Sequence, residues 1–380
     1  MGINRERQIE RWWLLAPQKK QRIMLPNHDN TTCWDLSPKY FCTYYLSFNA
    51  FKLLCDSLGN TNIKTKEHLI DGLNQVMPRK AARQSQLEKL PSELLGTLFH
   101  ILEAKDFVSL SLCSQTLWNH AITWAQNGFR RWRNEYSWAG TPIICTGTHL
   151  HVLPQLMYDM FPEAKPGPQP QGLTPRQKKR RRAEWEQASD WNYFVTSRYN
   201  KSPLPYDEGY REEFWKVISS AGIPENLHKL IAACFPTLEV EHGSKWYLRN
   251  LTQKEYIRME LITTADGEVT VALEGKPWLT LDILLMWLIS WNQKRDGTTF
   301  TWEELNERGR VGDDFMLMRA GIWAAHALDV VDEEMGEGWF DRTDTIDRLS
   351  NNWLRALYRA ALARKDDEDV KEYWAKLYEE

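Results

Sequence analysis

Between Leu90 and Trp118 the chain carries more apolar side chains at helical spacing than a segment of that length can hide within itself. Pro91 stands where a first-turn proline is favoured. After it, Leu94, Leu98 and Ile101 form one apolar stripe, and Leu95, Phe99 and Leu102 a second. Asp106 is placed to cap a following helix with Phe107, Leu110 and Leu112, and Ser114 to cap a third with Leu117, Ala121 and Trp124. A unit of about 40 residues rarely stabilises itself. One stripe can line its own interior and the other needs a partner, so the segment reads as a docking element. The plain alternative is a set of amphipathic core helices in a larger helical domain.

At 380 residues and 42% apolar content, the chain can bury one large core or two modest ones. Its 48 basic and 51 acidic residues give a net charge of -3, which favours no class of partner. The longest apolar runs, Trp12 to Ala16 and Ile283 to Ile289, are too short for a membrane span or a secretory core, so the expectation is an intracellular protein of the nucleus or cytoplasm without a membrane partner. Cys33, Cys42, Cys55, Cys113, Cys145 and Cys234 include no Cys-x-x-Cys pair and read as reduced core residues. Nineteen tryptophans are spread from Trp12 to Trp374 without a fixed period. That argues against a propeller or leucine-rich array and for large core anchors over an aromatic ligand cage.

Along the chain, residues 1–86 form an N-terminal segment of unknown role, partly helical in the aromatic stretch from Tyr40 to Leu54, and residues 87–136 hold the helical unit with an extended third helix. Residues 137–161 read as a short buried strand closed by Gly147 and a helix begun at Leu153-Pro154. Residues 162–187 are a Pro- and Gly-rich linker with the basic run Lys178, Lys179, Arg180, Arg181 and Arg182. That run suits nuclear import or the solvated start of a helix better than phosphate contact. Residues 188–380 read as an α+β target-binding domain. There, alternation predicts a hairpin of Glu255 to Thr264 with Glu268 to Glu274 around Asp266-Gly267, a third antiparallel strand over Lys245 to Leu251, a buried helix begun near Asp282, and a terminal helix pair. The expected fold class is therefore α+β and mainly helical: a three-helix module, then a helical domain with a small antiparallel sheet.

The order Leu90-Pro91-x-Glu93-Leu94-Leu95, Leu98, Leu102, Asp106-Phe107, Leu110-Ser111-Leu112, Leu117-Trp118 resembles the F-box, the helical module that docks proteins onto the small adaptor subunit of SCF ubiquitin ligases. Leu98 stands for a common isoleucine and Phe107 for a common leucine. The resemblance implies adaptor contacts at Leu90, Pro91, Leu94, Leu95, Leu98, Leu102, Phe107, Leu110 and Leu112. Further segments, Trp138 to Gly147 with Leu153-Pro154, Trp246 to Arg258, and Gly321 to His326, resemble signatures of a large group of filamentous-fungal F-box proteins without a recognisable repeat domain. The resemblance spans about Leu87 to Tyr358 and carries no defined substrate. In the same stretch, Arg249 and Arg258 read as buried partners for carboxylates in the sheet layer rather than as substrate contacts.

The chain offers no Gly-x-Ser-x-Gly elbow, phosphate-cradling loop or His-Glu-x-x-His helix, so no catalytic residue, metal or cofactor is expected. His149 and His151 lack a carboxylate or cysteine at ligand spacing, and the acidic stretch Asp329 to Glu337 lacks the alternation of a calcium loop. The leading expectation is a non-catalytic substrate receptor of an SCF-type ligase, bound to the adaptor and through it to a cullin, recruiting an unknown protein target. The alternatives are an adaptor-bound regulatory protein outside a ligase and, behind it, a nuclear nucleic-acid-associated protein using the basic run.

Overall fold

Short apolar runs without alternation, which periodicity alone cannot assign, form the middle of a ten-stranded sheet. The computed structural model describes residues 12–25, 38–55, 85–111, 113–147, 153–162, 216, 220, 245–264, 267–291, 301–304, 321–363 and 367–379. In chain order, β1 (Trp12–Ala16) and β2 (Gln21–Met24) precede α1 (Pro38–Thr43) and α2 (Ala50–Leu54). Then come α3 (Ser92–Ile101), α4 (Ala104–Ser111) and α5 (Gln115–Tyr136), followed by β3 (Thr141–Gly147) and α6 (Gln155–Met160). Next are β4 (Trp246–Asn250), β5 (Glu255–Thr263), β6 (Val269–Leu273), β7 (Lys276–Thr280), α7 (Leu281–Ile289) and β8 (Ser290–Trp291). The last are β9 (His326–Val331), β10 (Phe340–Asp341), α8 (Thr343–Leu362) and α9 (Glu368–Glu379).

The chain divides into two compact units. One takes in Met1–Asp56, Trp138–Pro203 and His242–Glu380, and the other Ser57–Ser137 with Leu204–Glu241. The first holds the whole sheet, in the order β2-β1-β3-β9-β4-β5-β6-β7, with every neighbour on that path antiparallel. The short strands β8 and β10 add parallel pairs to β3 and β5. This overturns the expectation of a mainly helical chain with a small sheet. The physical reason is burial on both faces: every residue of β3 is buried, and β1 and β9 each show a single partly exposed position. Such strands lose the period-2 signature that betrays a half-solvated strand. Near the start of the chain, β1 pairs with β3 across more than a hundred residues, Leu15 opposite Ile144.

Alternation sends Leu15 and Ile144 to one face, where Leu153 and Met157 from the α6 region pack with them. The opposite face carries Trp246 and Leu248 and meets α2 through Phe51, whose ring lies edge-on to Trp246 at 5.2 Å. Helix α7 is buried at every position, as a helix apolar all round must be, and stacks Trp287 on Trp353 of α8 at 4.6 Å. Trp374 of α9 is fully buried and donates its indole N–H to the Thr43 carbonyl at 2.8 Å, tying the last helix to α1.

The single helical stretch expected from Tyr40 onward is broken. Tyr45 and Asn49 adopt φ of 38° and 60°, and the Phe48 and Ala50 N–H groups between and after them leave any helical ladder to bond the Asp282 carboxylate at 2.8 and 3.3 Å. In the second unit, α4 begins at Ala104, so Asp106 sits inside its first turn and does not cap it. Among the described residues no helix is long and apolar enough to cross a membrane.

Candidate functional site

The helical module of the second unit is fixed at its start by a reciprocal cap. Ser85 N–H donates to Glu88 Oε2 at 2.5 Å, and Glu88 N–H donates to Ser85 Oγ at 3.2 Å, around a 3-10 turn at Leu87–Lys89. The Ser114 hydroxyl, and after it the Ser85 N–H and hydroxyl, hold the Glu88 carboxyl below its ordinary range. Ser114 also caps α5, its Oγ accepting from Leu117 N–H at 3.2 Å. The Ser-x-x-Glu spacing was readable in the sequence as a capping box but was obscured by the polar stretch before it.

Inside the module, Leu95, Phe99 and Phe107 are buried, with Leu117, Trp118, Ala121 and Ile122. Phe99 meets Phe107 edge-on at 5.3 Å, and Phe107 meets Trp124 at 5.0 Å, so one aromatic cluster joins all three helices. The other stripe faces outward. Ile101 is 72% exposed, Leu94 54% and Leu90 36%, Pro91 is exposed, and Leu98, Leu102 and Leu110 are half-buried. Leu95 and Phe107, which the F-box resemblance counts as adaptor contacts, are buried within the module. Leu112 and the basic run Lys178 to Arg182 lie outside the described residues, as do His149 and His151. Covering Leu90, Leu94 and Ile101 would yield roughly 2 to 5 kcal/mol before the costs of association.

In the sheet unit, the three segments picked out beside the helical module meet at the centre of the sheet. Trp138 to Gly147 supplies β3, Trp246 to Arg258 supplies β4 and the start of β5, and Gly321 to His326 supplies the turn into β9, which pairs with both β3 and β4. Gly321 has φ of +52°, and a Cβ there would stand 2.8 Å from the Ser290 carbonyl oxygen, so no other residue fits without displacing backbone.

The charges of this layer are matched. Arg249 forks onto Asp329, its partner in register, through Nε to Oδ1 at 2.8 Å and Nη2 to Oδ2 at 2.6 Å. Arg258, more exposed, faces Glu274 at 3.1 Å, Asp341 at 3.2 Å and Asp344 at 3.4 Å. Both arginines thus serve carboxylates of the layer. Glu255 is buried and accepts from the indoles of Trp302 at 3.0 Å and Trp323 at 2.8 Å and from Arg342 Nη2 at 2.6 Å. Sequence reasoning passed over Glu255 because its three donors lie 47 to 87 residues downstream. Burial pushes the thiols of Cys42 and Cys145 up, the latter to about 12, which keeps both protonated and poorly nucleophilic.

Among the described residues no group of three His, Cys, Asp or Glu side chains converges to hold a metal ion. No family model, curated protein or solved structure matches the chain.

Proposed function

We propose that the chain is an F-box-type substrate receptor of an SCF ubiquitin ligase. The helical module docks on the adaptor, and through it on a cullin, while the sheet unit presents a target. The observation that carries this reading is the outward stripe of Leu90, Leu94 and Ile101 on a module whose inner stripe is already filled by its own aromatic cluster. The stripe follows the Leu-Pro-x-Glu start on which the resemblance rests. The contribution to catalysis is positional: holding a target near a ubiquitin-loaded enzyme raises its effective concentration without a nucleophile or base from this chain. The working compartment is the nucleus or cytoplasm, with the run Lys178 to Arg182 as the import signal if nuclear.

Leu90→Ala with Pro91→Ala tests the docking, read by co-purification of the adaptor with the full chain. Loss of the adaptor while the circular dichroism of the chain is kept is the expected result. Undiminished recovery of the adaptor contradicts the reading.

A further inference from the structure

Two buried hydrogen-bond donors on the β1–β2 hairpin have no acceptor among the described residues: Arg22 Nη1 and Trp13 Nε1. They belong together. Leu15 lies opposite Arg22 and Trp13 opposite Met24, so Trp13 and Arg22 are diagonal neighbours on one face of the hairpin. The guanidinium carbon of Arg22 stands 4.6 Å from the centroid of the Trp13 ring. A guanidinium held over an aromatic face keeps its N–H edges available to a ligand oxygen.

Such a pair is costly as it stands. A buried polar group without a partner loses its hydration and gains nothing, the loss is larger for a charged group, and native folds retain few of them. The surroundings add to the demand for an anion. Trp13 packs against the apolar cluster of Leu15, Ile144 and Met157, and an apolar setting of that kind strengthens a charge-assisted bond formed beside it. From Trp12 to Leu25 the hairpin carries Lys19, Lys20 and Arg22 and no carboxylate.

We propose that Arg22 and Trp13 form a binding site for one oxyanion, a carboxylate or a phosphate group carried by a partner. Arg22 supplies the charged hydrogen bond, and the Trp13 indole supplies the neutral second one. The site lies in the sheet unit and stands or falls independently of the docking reading.

The test titrates the full chain by calorimetry with inorganic phosphate and, separately, with acetate, at constant ionic strength, beside Arg22→Met and Trp13→Phe. At least one anion is expected to bind the wild type. Affinity should fall about tenfold or more in Arg22→Met and about fivefold in Trp13→Phe. Phosphate alone binding identifies a phosphate site, and acetate alone a carboxylate site. Trp13→Phe keeps the ring and its packing, so it decides the case if Arg22→Met fails to fold. No binding of either anion, or equal binding by wild type and Trp13→Phe, overturns the proposal and leaves the two donors to buried water.

Discussion

Asp282 sits buried at the start of α7, and its Oδ1 alone collects the N–H of Phe48, the N–H of Ala50 and the Ser47 hydroxyl. Burial outweighs those three bonds and lifts its pKa to about 6. His326 is also buried, its Nδ1 2.8 Å from the Asn250 side-chain amide nitrogen, and burial lowers its pKa to about 4. Asn250 Oδ1 already accepts from the Thr252 and Gln253 N–H groups, which leaves its amide to donate to His326. The two shifts have opposite consequences. For Asp282 the folded chain holds a proton that the unfolded chain releases, so stability is greatest below about pH 4 and is lost as pH rises toward 6. For His326 the unfolded chain takes the proton first, so stability is present above about pH 6.5 and is lost as pH falls toward 4. Their slopes oppose over nearly the same window. Asp282→Asn keeps an oxygen for all three donors and removes only the titration. It is therefore expected to expose the acid sensitivity of His326, a loss of up to about 3 kcal/mol between neutral pH and pH about 4. Denaturant unfolding at several pH values reads this directly, and a variant with the pH profile of the wild type would refute the opposition.

Among the elements, α3 carries a glycine in its middle that nothing requires. A Cβ at Gly96 would meet only Trp124 Cδ1, at 4.0 Å, which is ordinary contact. Gly96→Ala is thus expected to stabilise the helical module by about 0.5 to 1 kcal/mol, read as a raised denaturant midpoint. Destabilisation would mean that the packing of α3 on α5 is tighter than this geometry allows. The elements differ in how far the sequence discloses them. Strands β4, β5 and β6 lie where the alternation of Ile257, Met259 and Leu261 and of Val269, Val271 and Leu273 puts them, with Gly267 at φ +80° in their turn. β4 and β6 are each buried at four of their five positions and are disclosed by residue spacing around the turn, whereas β5 alternates because one of its faces remains partly solvated. Helices α8 and α9 are legible for the same reason, each burying one side through Trp353 and Trp374. Strands β1 and β9 carry no such mark, since both faces are covered; β3, equally buried, is marked only by the turn before it and the closing Gly147, and the break between α1 and α2 depends on a carboxylate more than 230 residues away. Local pattern cannot contain that information.

At the scale of the molecule, the outcome turns on pairings between distant segments. A sheet that joins residue 15 to residue 144 and residue 250 to residue 328 is fixed by long-range register, which a reading by consecutive segments does not contain. The helical module is local, all of α3 to α5 lying within 45 consecutive residues, and its two stripes were legible from helical spacing alone. What the spacing could not assign was the fate of Phe107, whose place in the aromatic cluster depends on Trp124. The outward residues carry the account of function. The most direct measurement is a titration of purified adaptor into the full chain, wild type beside Leu94→Asp, with folding checked by circular dichroism. Because Leu94 is more than half exposed, the aspartate leaves the module intact, yet it must be buried on docking. The account predicts that the wild type binds and that Leu94→Asp loses affinity by about a hundredfold. Equal affinity of the two, or no binding by the wild type, would contradict it.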